Sequence, residues 1–121
     1  MAAPNLVNVS TITAKSVQAD LSTTLTTEIL ANASSSNKVF KINNIIIANI
    51  DGTNSADASV AITKSGGSPI MIASTVAVPA DATLVVVDKN TSLYLEEGDN
   101  IEAGASAASD LTITINYEEL S

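Results

Sequence analysis

The 121-residue chain contains no histidine, no cysteine, no tryptophan and no arginine. Each absence closes off a class of chemistry. Without histidine, no side chain ordinarily titrates near neutral pH, and the usual base of a hydrolytic triad is missing. Without cysteine there are no disulfides, thiolates or Cys-based zinc centres, and the redox compartment leaves no mark on the sequence. Without arginine, no bidentate clamp on phosphate or carboxylate can form. Aromatic residues are scarce too, with one Phe and two Tyr. Rings normally supply roughly 150–250 Å² of buried area each, so a core here must be aliphatic and spread over sheet area. Basic residues are few: thirteen carboxylates face five lysines, for a net charge of −8. That sign repels phosphate backbones, and no nucleic-acid partner is expected. No apolar run approaches the roughly 18 residues of a membrane span, so no membrane partner is expected either. The opening residues Met1-Ala2-Ala3-Pro4-Asn5-Leu6 lack a basic start followed by an apolar stretch, and no secretory signal is expected. The Asn-x-Ser/Thr triplets at Asn8, Asn32 and Asn90 are then chance in a Ser/Thr-rich chain.

What is present is Ser, Thr and Ala together with 32 Ile, Val and Leu residues in short runs. The length suits one domain over residues 1–121. Alternation and turn residues predict strands at Leu6–Thr13, Leu21–Leu30, Val39–Ile50, Ala58–Lys64, Ile70–Val78, Thr83–Val87, Ser92–Leu95, Ile101–Ala107 and Leu111–Tyr117. The second of these has Leu21, Leu25 and Ile29 at helical spacing. Its threonines Thr23, Thr24, Thr26 and Thr27, stiff at χ1, favour a strand. Asp51-Gly52-Thr53-Asn54-Ser55, Ser65-Gly66-Gly67-Ser68 and Glu96-Glu97-Gly98-Asp99-Asn100 read as turns. About nine strands with short turns and no substantial helix predict an all-β antiparallel β-sandwich, jelly-roll-like or immunoglobulin-like. Residues 1–10 either form an N-terminal arm that adds a strand to a neighbour or pair within their own sheet.

Three runs break the alternation expected of a strand with one wet face: Ile45-Ile46-Ile47-Ala48, Ile70-Met71-Ile72-Ala73 and Leu84-Val85-Val86-Val87. Self-association would cover the outward side chains. The candidate interface is Ile46, Met71 and Val86, with Leu6, Val7 and Val9 from the arm, in a homo-oligomer for which a trimer is one arrangement.

Little suggests catalysis. A Ser-Lys pair could draw only on Lys15, Lys38, Lys41, Lys64 or Lys89, and Lys15-Ser16 and Lys64-Ser65 are simple neighbours in a Ser-rich chain. The carboxylates Glu96, Glu97 and Asp99, and the pair Glu118 and Glu119, read as solvated turns and ends, since glycoside hydrolysis also needs aromatic platforms. No enzyme activity and no cofactor are expected. Calcium suits carboxylates in loops, and Asp51, Asn54 and Asp57 have an outline of a calcium loop. The segment lacks Asp or Asn at the third and fifth positions and a closing Glu, so turn chemistry is the simpler reading.

Four segments carry a family resemblance: Lys38-Val39-Phe40-Lys41-Ile42-Asn43-Asn44-Ile45-Ile46-Ile47-Ala48-Asn49-Ile50-Asp51-Gly52, Ile72-Ala73-Ser74-Thr75-Val76-Ala77-Val78-Pro79-Ala80, Leu93-Tyr94-Leu95-Glu96-Glu97-Gly98-Asp99-Asn100-Ile101 and Asn116-Tyr117-Glu118-Glu119-Leu120. A strand ending in Ala-Asn, a Val-Pro-Ala bend and a Leu-Glu-x-Gly-Asp-x-Ile turn resemble the small β-sandwich virion proteins of tailed bacteriophages, particularly cyanobacterial and other marine phages. The resemblance spans Val39 to Leu120. It implies a virion structural protein assembled in the host cytoplasm. The roles it implies are capsid decoration or cement against the major capsid protein, or a neck, tail or fibre component. A carbohydrate- or host-surface-binding module is the alternative of another class, which the shortage of rings disfavours.

Overall fold

Among the described residues, alternating β-branched side chains fold into nine strands in two antiparallel sheets. The computed structural model describes residues 6–25 and 28–121. The strands are β1 (Ile12–Asp20), β2 (Glu28–Ala31), β3 (Val39–Asn49), β4 (Ala56–Thr63), β5 (Pro69–Val78), β6 (Thr83–Val87), β7 (Leu93–Leu95), β8 (Asn100–Ala105) and β9 (Leu111–Leu120). One sheet runs β1-β9-β3-β6, with β7 continuing along the same side of β3; the other runs β2-β8-β4-β5. Among the described residues the only helical pieces are the 3-10 turns Leu6–Asn8 and Lys89–Thr91.

The pairing is nested. If β6 and β7 are taken as one strand interrupted by the Lys89–Thr91 turn, the first strand pairs with the last, the second with the next to last, and so inward to the β4–β5 hairpin. This is the winding of a jelly roll, which settles the choice left open by the strand pattern.

The interlayer space is filled without large rings. Ile42, Ile45 and Ile47 of β3 and Ile113 and Ile115 of β9 are fully buried. The facing sheet offers mostly small side chains, Ala56, Ala58, Val60, Ala103 and Ala105. Large aliphatics on one layer against alanines on the other reach close packing with few aromatics. Phe40 and Tyr117 pack together at one end, with ring centroids 5.2 Å apart.

Bulges account for two of the three non-alternating runs. Ile45 pairs with Val87 while Ile46 pairs with Val85, so Val86 is an extra residue in β6. Likewise Val60 pairs with Ala73 and Ala61 with Met71, which leaves Ile72 extra in β5. A bulge sets consecutive side chains against two-fold alternation, and Val86 and Ile72 both pack on the core. The Ile45–Ala48 run keeps its alternation, with Ile46 half-buried on the outer face opposite Val85 and Thr114.

The N-terminal expectation is corrected. Leu6–Asn8 is a 3-10 turn, not a strand, and the first strand begins at Ile12. Ser10 and Thr11 nonetheless donate to the Ser121 carbonyl, so this segment is tied to its own C-terminal end. Met1–Asn5, the start of the arm, and Thr26 and Thr27 of the second predicted strand lie outside the described residues. That second strand shortens to Glu28–Ala31. Before it, the backbone of Thr24 and Leu25 crosses the outer face of β8 at Gly104, where a Cβ would stand 2.8 Å from the Thr24 carbonyl oxygen. Only glycine leaves room for that crossing.

Candidate functional site

Each end of the sandwich is closed by a buried asparagine that replaces missing ladder partners. At one end Asn49 donates to the Asn54 and Val78 carbonyls at 3.0 and 2.9 Å and accepts from the Asp51 amide at 2.8 Å. It thus ties the β3–β4 loop to the end of β5. At the other end Asn32 donates to the Lys38 and Leu95 carbonyls and accepts from the Ser36 hydroxyl. Both residues are at most 3% exposed, and buried amides of this kind need such partners.

Next to Asn32 lies a buried carboxylate with three hydrogen-bond donors. Asp99, expected in a solvated acidic turn, is 1% exposed. It accepts from Lys64 Nζ, from the Ser65 amide at 3.0 Å and from the Glu96 amide at 2.9 Å. The carboxylate ties the turn after β4 to its own turn before β8, and the Asp99 backbone carbonyl accepts from the Asn32 amide. The Leu-Glu-x-Gly-Asp-x-Ile pattern therefore has a structural meaning. Leu95 and Ile101 are buried in the core. Gly98 takes φ +86°, and a Cβ there would meet Ser65 at 2.7 Å. Asp99 is the clamp. Glu96 pairs with Lys64 at 3.2 Å, and Glu97 accepts from the Asn37 amide.

These contacts bear on catalysis by lysine. Asp99 holds the Lys64 ammonium above its ordinary 10.5, against partial burial, with further help from Glu96. A lysine acting as base needs the opposite shift. Lys15 and Lys38 both bind Glu119, at 3.1 and 3.0 Å. Glu118 and Glu119 do not act together, because neighbouring positions on a strand face opposite sides.

Burial pushes the Glu119 carboxyl up, but hydrogen bonds from Lys38 and Lys15 outweigh it and leave the group below its ordinary 4.5. The linkage sign follows from that net lowering. The stabilisation is complete above about pH 4.5 and is lost as pH falls through the lower folded-state value. Glu119→Gln should therefore melt below wild type near neutral pH, with the gap closing as the pH falls below 4.5. A gap that stays constant across thermal melts over this range would show that ionisation of Glu119 contributes nothing.

The calcium candidates serve the loop itself. Asp51 accepts from the Thr53 amide at 2.8 Å and from the Asn54 side chain at 3.3 Å. The Thr53 bond is the main reason its carboxyl lies below the ordinary 3.8. Asn54 gives its carbonyl to Asn49, and Asp57 sits on β4 with its amide bonded to Ser106 Oγ. Among the described residues no group of three or more acidic side chains converges as a metal site would require.

The candidate interface residues are spread over the surface. Leu6 and Val7 are 52% and 87% exposed, Val9 is half-buried, and Met71 is 40% exposed opposite Ala61. Val86 turns toward the core, and Val85, which the sequence did not single out, takes the outward position at 55% exposure. Ile70 and Val76 join it as exposed apolar residues of β5. A single extra residue in β6 decides between Val85 and Val86, and the sequence carries no mark of it.

Concave features are small or shallow. A depression of about 180 Å³ on the outer face of the second sheet is lined by Thr23, Leu25, Asp57, Ser59, Thr75 and Gly104, among others. Thr75 adopts φ +47° at the adjoining bulge, its amide donating to Ser59 Oγ. A shallower one of about 360 Å³ lies along Lys15, Asn43 and Asn116. Small-molecule pockets typically enclose about 300–1,000 Å³ with convergent polar groups. No protein-family model matches the chain, and no curated protein matches it.

Proposed function

We propose that the chain is a structural protein of a tailed-phage virion, decorating and cementing the head through contacts with copies of itself and with the major capsid protein. The observation that carries this reading is where apolar surface lies. Ile70, Met71, Val76, Val85 and Tyr94 are exposed on strands, on a jelly roll, an architecture used in capsid shells. Fold alone does not decide function. The pattern that carries the resemblance to the phage proteins is compatible with the reading, because Leu95, Gly98, Asp99 and Ile101 act as scaffold.

The lysines fit the same picture. Lys15, Lys38 and Lys64 are held in ion pairs, leaving little positive charge for a nucleic acid. Sugar recognition would draw on stacked rings, and Phe40 and Tyr117 face each other inside, which leaves Tyr94. Quantitative mass spectrometry of purified particles of the phage encoding this chain tests the proposal. The chain should be present in many copies per particle. Its absence from washed virions would defeat the reading.

A further inference from the structure

We propose that the β5–β6 side of the sandwich is the surface on which a second copy of this chain docks. The inference rests on the self-association in the reading above and names the surface that performs it. β5 ends one sheet and β6 ends the other, and the turn Pro79–Ala82 joins them, so they form one lateral side of the molecule. From Gly66 to Val87, 22 residues include one charged residue, Asp81, whereas the chain has 18. Asp81 sits in the joining turn, off both strands. Ile70, Met71, Val76 and Val85 are all more than a third exposed on this side.

Charge selects the occupant. Each copy carries −8, so approach through most faces brings carboxylates together. This side lets two copies meet without that repulsion, and its apolar side chains and free ladder groups match their own kind. The other sheet edges are blunted in ways that discourage pairing. β1 carries Lys15 and Asp20, β2 has four residues, and β7 has three. β5 is ten residues long and uncharged. Its bulges interrupt the outer ladder, so the contact uses side chains as well as backbone.

Sedimentation velocity at micromolar to near-millimolar concentration tests this, using wild type, Val76→Glu with Val85→Glu, and Gln18→Glu on the opposite edge β1. Wild type should sediment as an oligomer. Facing carboxylates across the contact should weaken association by about a hundredfold or more, and Gln18→Glu should leave it unchanged. Because the chain has no cysteine, Val85→Cys provides a second readout that does not depend on the double variant folding. Its thiol should react with maleimide more slowly at concentrations where wild type is oligomeric than at dilution. An oligomer indifferent to Val76 and Val85, with the thiol equally reactive throughout, would place the contact elsewhere and leave self-association standing. A wild-type monomer across the range would overturn self-association itself. A dimer in solution together with absence from virions would refute the phage role and not this surface.

Discussion

Asp99→Ala is expected to destabilise the protein by about 3 kcal/mol, the largest effect of any polar substitution in the described residues. The substitution strips an acceptor from the Lys64 ammonium and from two backbone amides where the turn after β4 meets the turn before β8. Hydrogen bonds to a charged group are worth about 1.5–3 kcal/mol each, but Lys64 is partly exposed and recovers water when released, so their sum is not reached. For a chain of this size the loss corresponds to a fall in melting temperature of roughly 10 °C. Asp99→Asn keeps one carbonyl oxygen for an amide and should cost about half as much. Urea unfolding of both variants would measure this. An unchanged midpoint for Asp99→Ala would mean that the two loops close without the clamp.

Ile113→Ala is expected to cost about 3–4 kcal/mol. Ile113 is fully buried at the centre of β9, where it pairs with Ala19 of β1 on one side and Ile47 of β3 on the other. Both flanking strands are held in the ladder, so the cavity cannot collapse freely. The neighbouring pair, Thr114 and Ile46, points outward. Ile46→Ala should therefore cost no more than about 1 kcal/mol in dilute solution. Equal losses at the two positions would contradict the inward and outward assignment of this sheet.

The contrast between these two isoleucines shows what could be read from the residues themselves. Leu111-Thr112-Ile113-Thr114-Ile115 alternates because β9 is central, with one face on the core and one in water, and its face assignment follows directly. β1 could not be read that way. Its Lys15, Ser16, Gln18 and Asp20 show no apolar period, because it is an edge strand held mainly by its ladder with β9. The alternation at Leu6–Thr13 is more regular, yet only Ile12 and Thr13 of it lie in β1, the rest being a 3-10 turn and a short tie to Ser121. Leu21 misled in a similar way. It is buried as part of a connection, fixed by bonds to Leu111 and Ser109, and not as part of a strand.

The clamp was hidden for a different reason. Glu96-Glu97-Gly98-Asp99 looks like any solvated turn, and Lys64, which gives Asp99 its meaning, is 35 residues away in sequence. Contacts of that range depend on topology, and the jelly-roll order was not in the strand pattern. The bulges at Ile72 and Val86 were equally hidden. They turn two apparent violations of alternation into core packing, and so narrow the exposed apolar surface to the β5–β6 side and a few scattered residues. What survives of the self-association argument is smaller in area and better defined in place.

Electron cryo-microscopy of the particle encoded with this chain tests the structural role most directly. The account predicts jelly-roll density on the head, at contacts between major capsid subunits, with copies meeting through β5 and β6. Density confined to the tail, or none anywhere on the particle, would contradict it.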